Sequence, residues 1–449
     1  MAYDPEKSST DSNWIFPAGT RFRLYAQPPF VGPFQEPETI VVSPPPGTVG
    51  PGPNDDRMYV VEPIGRPLPY GDAEKRGLKN TYLMPPWKGA SLPPAVPSED
   101  GHFDHIPVGT PEFEAAHLYG ATRFTLDIWE YYFGRQLEWH FSKDLGRLEL
   151  VIADNLKGNA YMGYGFLEVG YHEADDGELE PFSLNFDVIA HEVGHCIIFS
   201  AIGVPDPGTE SAEYFGFHES AADLTALIAS LHFGSVIDEL LRQTRGNLYA
   251  LNLVNRIMEL SSNDQIRIAA NGMTMYDFVD GWQGEHNLAQ PLTGAIFDVL
   301  VDVFHEELLE RGLIAQSSEE LSDQLETDDS YQEVIQPIFD AAFAEAPEGF
   351  REALIEARDT IGAYLAFTWE QLQASTLDYP DVWEALVEAD AKLNGGRYRR
   401  MIDVNFLRRG IGQVPLGPRL KKPDEHSHFD SSRLFLPPPQ LSHRRRRRK

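Results

Sequence analysis

Residues 186–204 read FDVIAHEVGHCIIFSAIGV, and this stretch decides how the chain is interpreted. His191 and His195 lie four residues apart, and Glu192 follows the first of them. An α-helix turns by about 100° per residue, so the two imidazoles project from nearly the same face and can reach one cation. Taken alone, the stretch is also compatible with three polar residues on an ordinary helix, because three fixed positions recur by chance in many helices.

A hydrolytic zinc site needs a third protein ligand and an open position for water. The next predicted helix contains FHESAADL at 217–224, in which Glu219 is the candidate third ligand. Asp223 lies one turn later on the same face, where it can accept a hydrogen bond from the outer nitrogen of a ligand histidine. The sequence therefore predicts that two successive helices share one metal site.

Several stretches, in the same order, resemble the thermolysin-like zinc metallopeptidases in which a glutamate is the third ligand (gluzincins). The resemblance covers roughly residues 111–310. It implies an α+β fold of two lobes, with a sheet-containing N-terminal lobe and a mainly helical C-terminal lobe. The matching stretches are AAHLYGATRFTLDIWEYYFGR at 115–135, GNAYMGYG at 158–165, FDVIAHEVGH at 186–195 and HESAADL at 218–224.

The resemblance also implies a role for each residue of the metal site. One zinc ion would be held by His191, His195 and Glu219. Glu192 would activate the water as general base, and Asp223 would orient His191. The implied activity is that of a zinc-dependent endopeptidase acting on peptide or protein substrates.

Further residues are implied to bind the substrate. Asn159 and the backbone of Ala160 would hold an extended peptide as an added strand. Arg256, in LVNRIMEL, would bind a substrate carbonyl, and His286, in DGWQGEHNLAQ, would stabilise the oxyanion. Simpler interpretations stay open: a turn residue for Asn159, a salt bridge for Arg256 and a surface histidine for His286, which the pattern places in a loop before a helix starting at Pro291.

The chain departs from the family pattern in ways that favour a second interpretation. Glu210 stands near the position of a family tyrosine, for which Tyr214 is a candidate substitute. The acidic stretch that binds calcium in secreted members is missing, since LTALIASLHFGSVIDELLRQ at 224–243 is mostly apolar, so the sequence gives no support for calcium. The alternative is a catalytically inactive, zinc-stabilised scaffold that binds a partner.

Composition divides the chain into parts of different character. Proline and glycine dominate the first part, which predicts an extended arm with short strands at 21–27 and 57–64, and we hypothesise that it covers the cleft. The predicted parts are residues 1–110, the extended N-terminal segment; 111–204, a lobe with a long helix, the main sheet at 135–185 and the HExxH helix; 205–410, a helical lobe; and 411–449, a disordered tail.

Charge and apolar patterning limit the environment and the partners. The formal net charge of −32 at pH 7 disfavours general binding to nucleic acid and to anionic membranes. The run Arg444 to Lys449 is either a solvated tail or a contact for polyanions. No signal-peptide pattern and no apolar run of about 18 residues is visible, so we expect a cytoplasmic protein without a membrane span, although export without a signal stays open. The pattern does not predict an oligomeric state.

Overall fold

The computed structural model describes residues 18–29, 34–77, 83–174, 177–206, 209, 211–248, 256–259, 265–317 and 331–420. For residues 74–75, 256–259, 265–268 and 331–332, only the backbone is described. Within the described residues, the strands of the main sheet come before residue 182, and long helices follow from residue 186. The predicted α+β class is therefore confirmed.

The main sheet lies where the sequence predicts it, with one strand added from the N-terminal segment. The strands are β3 (Met58–Val61), β4 (Leu148–Lys157), β5 (Ala160–Gly163), β6 (Phe166–Glu173) and β7 (Leu179–Pro181). Their order in the sheet is β3-β4-β6-β5, and β7 also pairs with β6. The pairs β3–β4 and β4–β6 are parallel, whereas β5 and β7 run antiparallel to β6. Among the described strands, β5 is thus at an edge of the sheet.

The N-terminal segment packs on the predicted long helix α2 (Pro111–Phe133). An antiparallel hairpin of β1 (Thr20–Leu24) and β2 (Glu38–Val42) lies against this helix. The backbone N–H of Tyr25 donates to Nε2 of the buried His117 on α2 at 3.0 Å. This hairpin packs on α2 and β3 pairs with β4, so both are structural components of the fold around the main sheet.

A buried polar cluster fastens part of this segment to one face of the sheet. Glu149 on β4 and Glu168 on β6 are both fully buried. Arg66 pairs with Glu168 at 2.9 Å, and the Tyr70 hydroxyl donates to Glu149 at 2.9 Å. Buried carboxylates without partners would be costly, so these contacts hold the short helix α1 (Tyr70–Lys75) on the sheet.

Helices dominate the described residues after 186, and a short hairpin that the sequence did not predict lies among them. The helices are α3 (Phe186–Ile202), α4 (Ala212–Ser230), α5 (Gly234–Thr244), α6 (Glu285–Glu310), α7 (Tyr331–Glu345), α8 (Pro347–Gln371), α9 (Tyr379–Leu393) and α10 (Arg399–Arg408). The hairpin consists of β8 (Arg256–Glu259) and β9 (Gln265–Ile268).

Helix α6 begins earlier in the chain than the sequence predicted. The pattern placed the first turn at Pro291, but the helix begins at Glu285 and carries this proline inside it. The Tyr379 hydroxyl donates to the Leu288 carbonyl at 2.6 Å, so the early turn is supported from outside the helix. His286 therefore lies on a helix and not in the predicted loop.

The chain remains ordered beyond the predicted boundary at residue 411. Residues 415–420 run beside the loop at 278–282, and Trp282 and Arg419 form a parallel β-bridge. The basic run at the C-terminus lies outside the described residues. Its predicted contact with polyanions stays a prediction.

The described helices were also compared with the dimensions of a bilayer. No single described helix is long and apolar enough to cross it. Helices α4 and α5 reach that length and apolarity only together, across a bend of 94°.

Candidate metal centre

A close contact between α3 and α4 sets the geometry of the site. A Cβ atom at Gly194 would lie 2.8 Å from the Cα of Ala222 and 3.0 Å from the Cβ of Thr225. Carbon atoms in normal contact are about 3.5–4.0 Å apart, so a larger residue at Gly194 would separate the helices. The glycine within HEVGH therefore allows the histidine face of α3 to lie directly against α4.

Three side chains converge across this contact. The Nε2 atoms of His191 and His195 are 3.1 Å apart. The Oε2 atom of Glu219 lies 3.4 Å from Nε2 of His191 and 3.8 Å from Nε2 of His195. The sequence named these three residues as ligands, and the structure brings them close enough together to bind one metal ion.

The three ligand atoms have a spacing that suits a small divalent ion. Zinc binds imidazole nitrogen and carboxylate oxygen at about 2.0–2.2 Å in a tetrahedral arrangement, which separates neighbouring ligand atoms by about 3.3 Å. The separations found here, between 3.1 and 3.8 Å, fall around that value. Two imidazoles and one carboxylate therefore fit a zinc ion that keeps one further coordination position.

The outer nitrogen of each histidine is held by a buried partner. Nδ1 of His191 lies 2.9 Å from Oδ1 of Asp223, and Nδ1 of His195 lies 2.8 Å from Nδ1 of His218. When Nδ1–H donates to such a partner, the lone pair of Nε2 is left for a metal. Sequence reasoning identified Asp223 but did not single out His218. Its only signal was its position next to Glu219.

The surroundings give the ligands protonation states that suit a metal. Burial lowers the pKa of His195 well below its usual range and lowers the pKa of His218 to about 3. Burial alone would raise the pKa of Glu219, but its contacts with the neighbouring histidines, first His286 and then His195 and His191, outweigh burial and hold this pKa well below its usual range. A neutral His195 imidazole and an ionised Glu219 carboxylate are the forms that coordinate metals.

Glu192, the candidate base, is buried. It follows His191 on α3 and is 8% exposed. The simpler interpretation of this residue, a solvated glutamate on an open helix face, is inconsistent with that burial. Glu192 therefore belongs to the enclosed side of the site.

His286 lies at the solvent side of the three ligands. It is the second residue of α6, and its side chain is 54% exposed. Its Nδ1 atom lies 2.7 Å from Oε2 of Glu219. His286 is thus a surface residue, as the simpler interpretation held, but one that contacts the site directly.

Tyr214, the candidate substitute for the family tyrosine, is on the buried side. It is 2% exposed, and its ring lies 5.6 Å from the ring of His218, centre to centre. Its contact with the site therefore runs through the partner of His195. Glu210, at the position of the family tyrosine, lies outside the described residues.

The edge strand β5 presents backbone groups beside α3. The Gly170 N–H donates to the Asn159 carbonyl at 3.1 Å, so Asn159 faces β6. Because successive residues of a strand point their backbone groups to opposite sides, those of Ala160 face the sheet edge. The side chain of Asn159 accepts the N–H of Ala160 at 2.9 Å, so this residue also acts as a turn residue at the start of the strand.

Two further residues complete the description of the site's surroundings. Arg256 is the first residue of β8, where only the backbone is described, so its role as a substrate ligand stays a prediction. Cys196, next to His195, is fully buried on α3, and burial raises the pKa of its thiol. The cysteine is therefore a core residue.

Comparisons with known proteins give limited help. No protein-family model matches the chain, and no curated protein does. Among solved structures, the chain is similar to the precursor of protealysin, a metalloproteinase from Serratia proteamaculans, with 11% sequence identity and a TM-score of 0.43. The match covers 72% of this chain and 83% of that chain. The assignment of a function therefore depends on the geometry of the site itself.

Proposed function

We propose that the protein is a zinc-dependent endopeptidase. One observation supports this above all: His191 and His195 direct their Nε2 atoms towards Glu219, while Asp223 and His218 hold the opposite nitrogens. A thermolysin-like two-lobed arrangement, with α3 in the sheet-containing N-terminal lobe, is part of the proposal. Calcium is not part of it.

The proposed cofactor is one zinc ion held by His191, His195 and Glu219. When bound, zinc lowers the pKa of a water molecule and polarises a carbonyl. A centre occupied by zinc carries a net positive charge, because the divalent ion is balanced by only one carboxylate and the two imidazoles are neutral. That charge favours the carbonyl oxygen of a peptide over a cationic group.

Glu192 is the proposed general base. Its carboxylate takes a proton from the attacking water and passes it to the nitrogen of the departing amine, so that a single group serves both halves of the reaction. Burial supports this role, because a carboxylate with little bulk solvent around it exchanges its proton with the reacting water and the substrate and not with the solvent.

The proposed substrate is an extended peptide lying along β5. The backbone of Ala160 would pair with it as with an added strand, through the carbonyl because its N–H already donates to the Asn159 side chain, and Asn159 would contact the same peptide. His286 would donate a hydrogen bond to the oxyanion that develops on the scissile carbonyl, with Arg256 as a second donor. The exposure of His286 at the solvent side of the ligands supports its part in this arrangement.

A Glu192→Gln variant tests the proposal. It keeps the volume of the side chain but cannot take a proton, so zinc content should be unchanged and peptide cleavage should fall by about 10²–10⁴-fold. Glu99→Gln, at an exposed glutamate, is the matched control. A Glu192→Gln protein that cleaves peptides at nearly the parental rate would refute the assignment of the base.

The same assay separates the enzyme from the inactive scaffold. Digestion of casein and of a peptide library, with and without a chelator, measures activity directly. Zinc-loaded wild-type protein that leaves both substrates intact would favour the scaffold, because metal binding alone is common to both proposals.

A further inference from the structure

A small hydrophobic cluster lies apart from the main core and includes a residue at the start of α6. Its buried members are Phe278, Trp282 and Leu288. Leu416, from the C-terminal end of the described chain, packs on this cluster and on the main core. We call residues 415–420 the C-terminal strap.

The strap binds the loop at 278–282 through the backbone. The Gly417 N–H donates to the Phe278 carbonyl at 2.9 Å, and the Trp282 N–H donates to the Pro418 carbonyl at 3.1 Å. A third bond runs from the Leu420 N–H to the Trp282 carbonyl at 2.9 Å. The strap and the loop therefore form a short parallel ladder.

Arg419 extends this contact to α6 itself. Its guanidinium lies 2.7 Å from Oε1 of Glu285, the first residue of the helix, and 4.9 Å from the centre of the Trp282 ring. The next residue after Glu285 is His286. An exposed ion pair is a weak constraint by itself, so Arg419 acts together with the backbone ladder.

The position of His286 depends on this anchoring because its own side chain is poorly packed. More than half of that side chain is exposed, while its Nδ1 atom lies 2.7 Å from Glu219. Trp282 before it and Leu288 after it belong to the small cluster, and the Leu288 carbonyl is held by the Tyr379 hydroxyl. The ligand helices α3 and α4, in contrast, pack within the main core.

We propose that the C-terminal strap is the positioning element for His286, with Arg419 as its principal side chain. The strap holds the first turn of α6 so that this imidazole stays against Glu219 at the mouth of the metal centre. Its catalytic consequence rests on the proposed endopeptidase function. The strap binds the loop before α6 and the first residue of that helix, so it acts on the metal centre through the contact between His286 and Glu219.

One added methyl group can displace the strap. A Cβ atom at Gly417 would collide with the carbonyl oxygens of Val279 and Phe278 and with the backbone nitrogen of Gly281. These are backbone atoms, which cannot rotate away. Gly272→Ala is the matched control, because a Cβ there meets nothing within 4 Å and the residue lies in the segment leading to the same loop.

Hydrogen exchange on the full-length protein tests the placement without any reference to catalysis. In Gly417→Ala we expect exchange at residues 278–288 to become at least about tenfold faster, with α3 and α4 as protected as in the wild type. Gly272→Ala should behave like the wild type. Unchanged exchange at 278–288 in Gly417→Ala overturns the proposal, even if the wild type proves to cleave no peptide.

Kinetics and metal binding test the consequence. In Gly417→Ala we expect kcat to fall by about tenfold to a hundredfold, with KM within about twofold of the wild type, because a misplacement of about 1 Å can cost that much. Arg419→Lys should keep more of kcat than Arg419→Gln. Zinc affinity is measured for each variant, so that kcat is compared at full zinc occupancy. If exchange becomes faster while kcat of the zinc-saturated protein is unchanged, the strap does not act through His286.

Discussion

Gly194→Ala is the substitution whose effect follows most directly from the structure. The new Cβ would lie 2.8 Å from the Cα of Ala222, about 1 Å closer than a normal carbon contact. Since Ala222 contributes a backbone atom, α3 and α4 must separate by about that distance. Metal–ligand distances tolerate only about 0.2 Å, so we expect zinc affinity to fall at least tenfold, or about 1.4 kcal/mol.

The same substitution has two opposing effects on stability. Overpacking costs about 1–3 kcal/mol, while alanine in place of glycine inside a helix gains up to about 1 kcal/mol. We therefore expect the metal-free Gly194→Ala protein to be less stable by about 1 kcal/mol.

Chelator competition for zinc and thermal unfolding of the metal-free protein measure the two effects of Gly194→Ala. Gly234→Ala, at the start of α5, is the control, because the nearest atom to its Cβ is a flexible guanidinium nitrogen at 3.7 Å. If Gly194→Ala binds zinc as tightly as the wild type and unfolds at the same temperature, the close approach of the two helices does not set the site.

Two further predictions concern the partners of the ligands and a buried carboxyl. His218→Ala and Asp223→Ala should each lower zinc affinity by about 10–100-fold in chelator competition, because each removes the group that holds Nδ1 of a ligand. His305→Ala, which removes another buried imidazole, should leave zinc affinity unchanged. Unchanged zinc affinity in both His218→Ala and Asp223→Ala would contradict the geometry. Burial, with two nearby glutamates, raises the pKa of Glu62 to about 7 from 4.5, so the stability that its neutral form contributes is complete below pH 4.5 and is lost as the pH rises through 7. Glu62→Gln should therefore stabilise the protein at pH 8 by about 1.5 kcal/mol and by nothing at pH 4. The value is roughly half of the free energy of the full pKa shift, because the side chain is partly exposed. Equal gains at both pH values in denaturant unfolding, or a gain in the exposed control Glu99→Gln, would show that the raised pKa of Glu62 is not the cause.

The metal ligands could be predicted because their signal is local. His191 and His195 are related by one helical turn, which the spacing alone reveals, and Glu219 and Asp223 show the same relation on the next helix. His218 was not recognised because its role depends on which face of α4 meets His195. That contact is set by the packing of two helices and leaves no periodic trace in either one.

The start of α6 shows how local rules fail at a site. Proline favours a first turn, so the pattern placed the helix start at Pro291. The actual start at Glu285 depends on the hydroxyl of Tyr379, which is 91 residues away from the carbonyl that it binds. The placement of His286 on a helix could therefore not be read from the neighbouring sequence.

Long-range pairing also explains what the sequence left open near the ends of the chain. Before residue 110 it predicted short strands at 21–27 and 57–64 but not that Met58–Val61 pairs in parallel with β4 and becomes part of the main sheet. Proline and charge likewise suggested disorder from residue 411, whereas Gly417 donates a hydrogen bond to the Phe278 carbonyl, far away in sequence. Composition describes what a segment prefers locally, and in both places a distant partner decided the outcome.

Metal analysis of purified protein, before and after incubation with zinc, tests the central claim most directly. The wild type should contain or take up one zinc ion per chain, and Glu219→Ala, which removes one of three ligands, should retain much less under the same wash. A wild-type sample that holds no transition metal and binds none when zinc is added would contradict the existence of the centre.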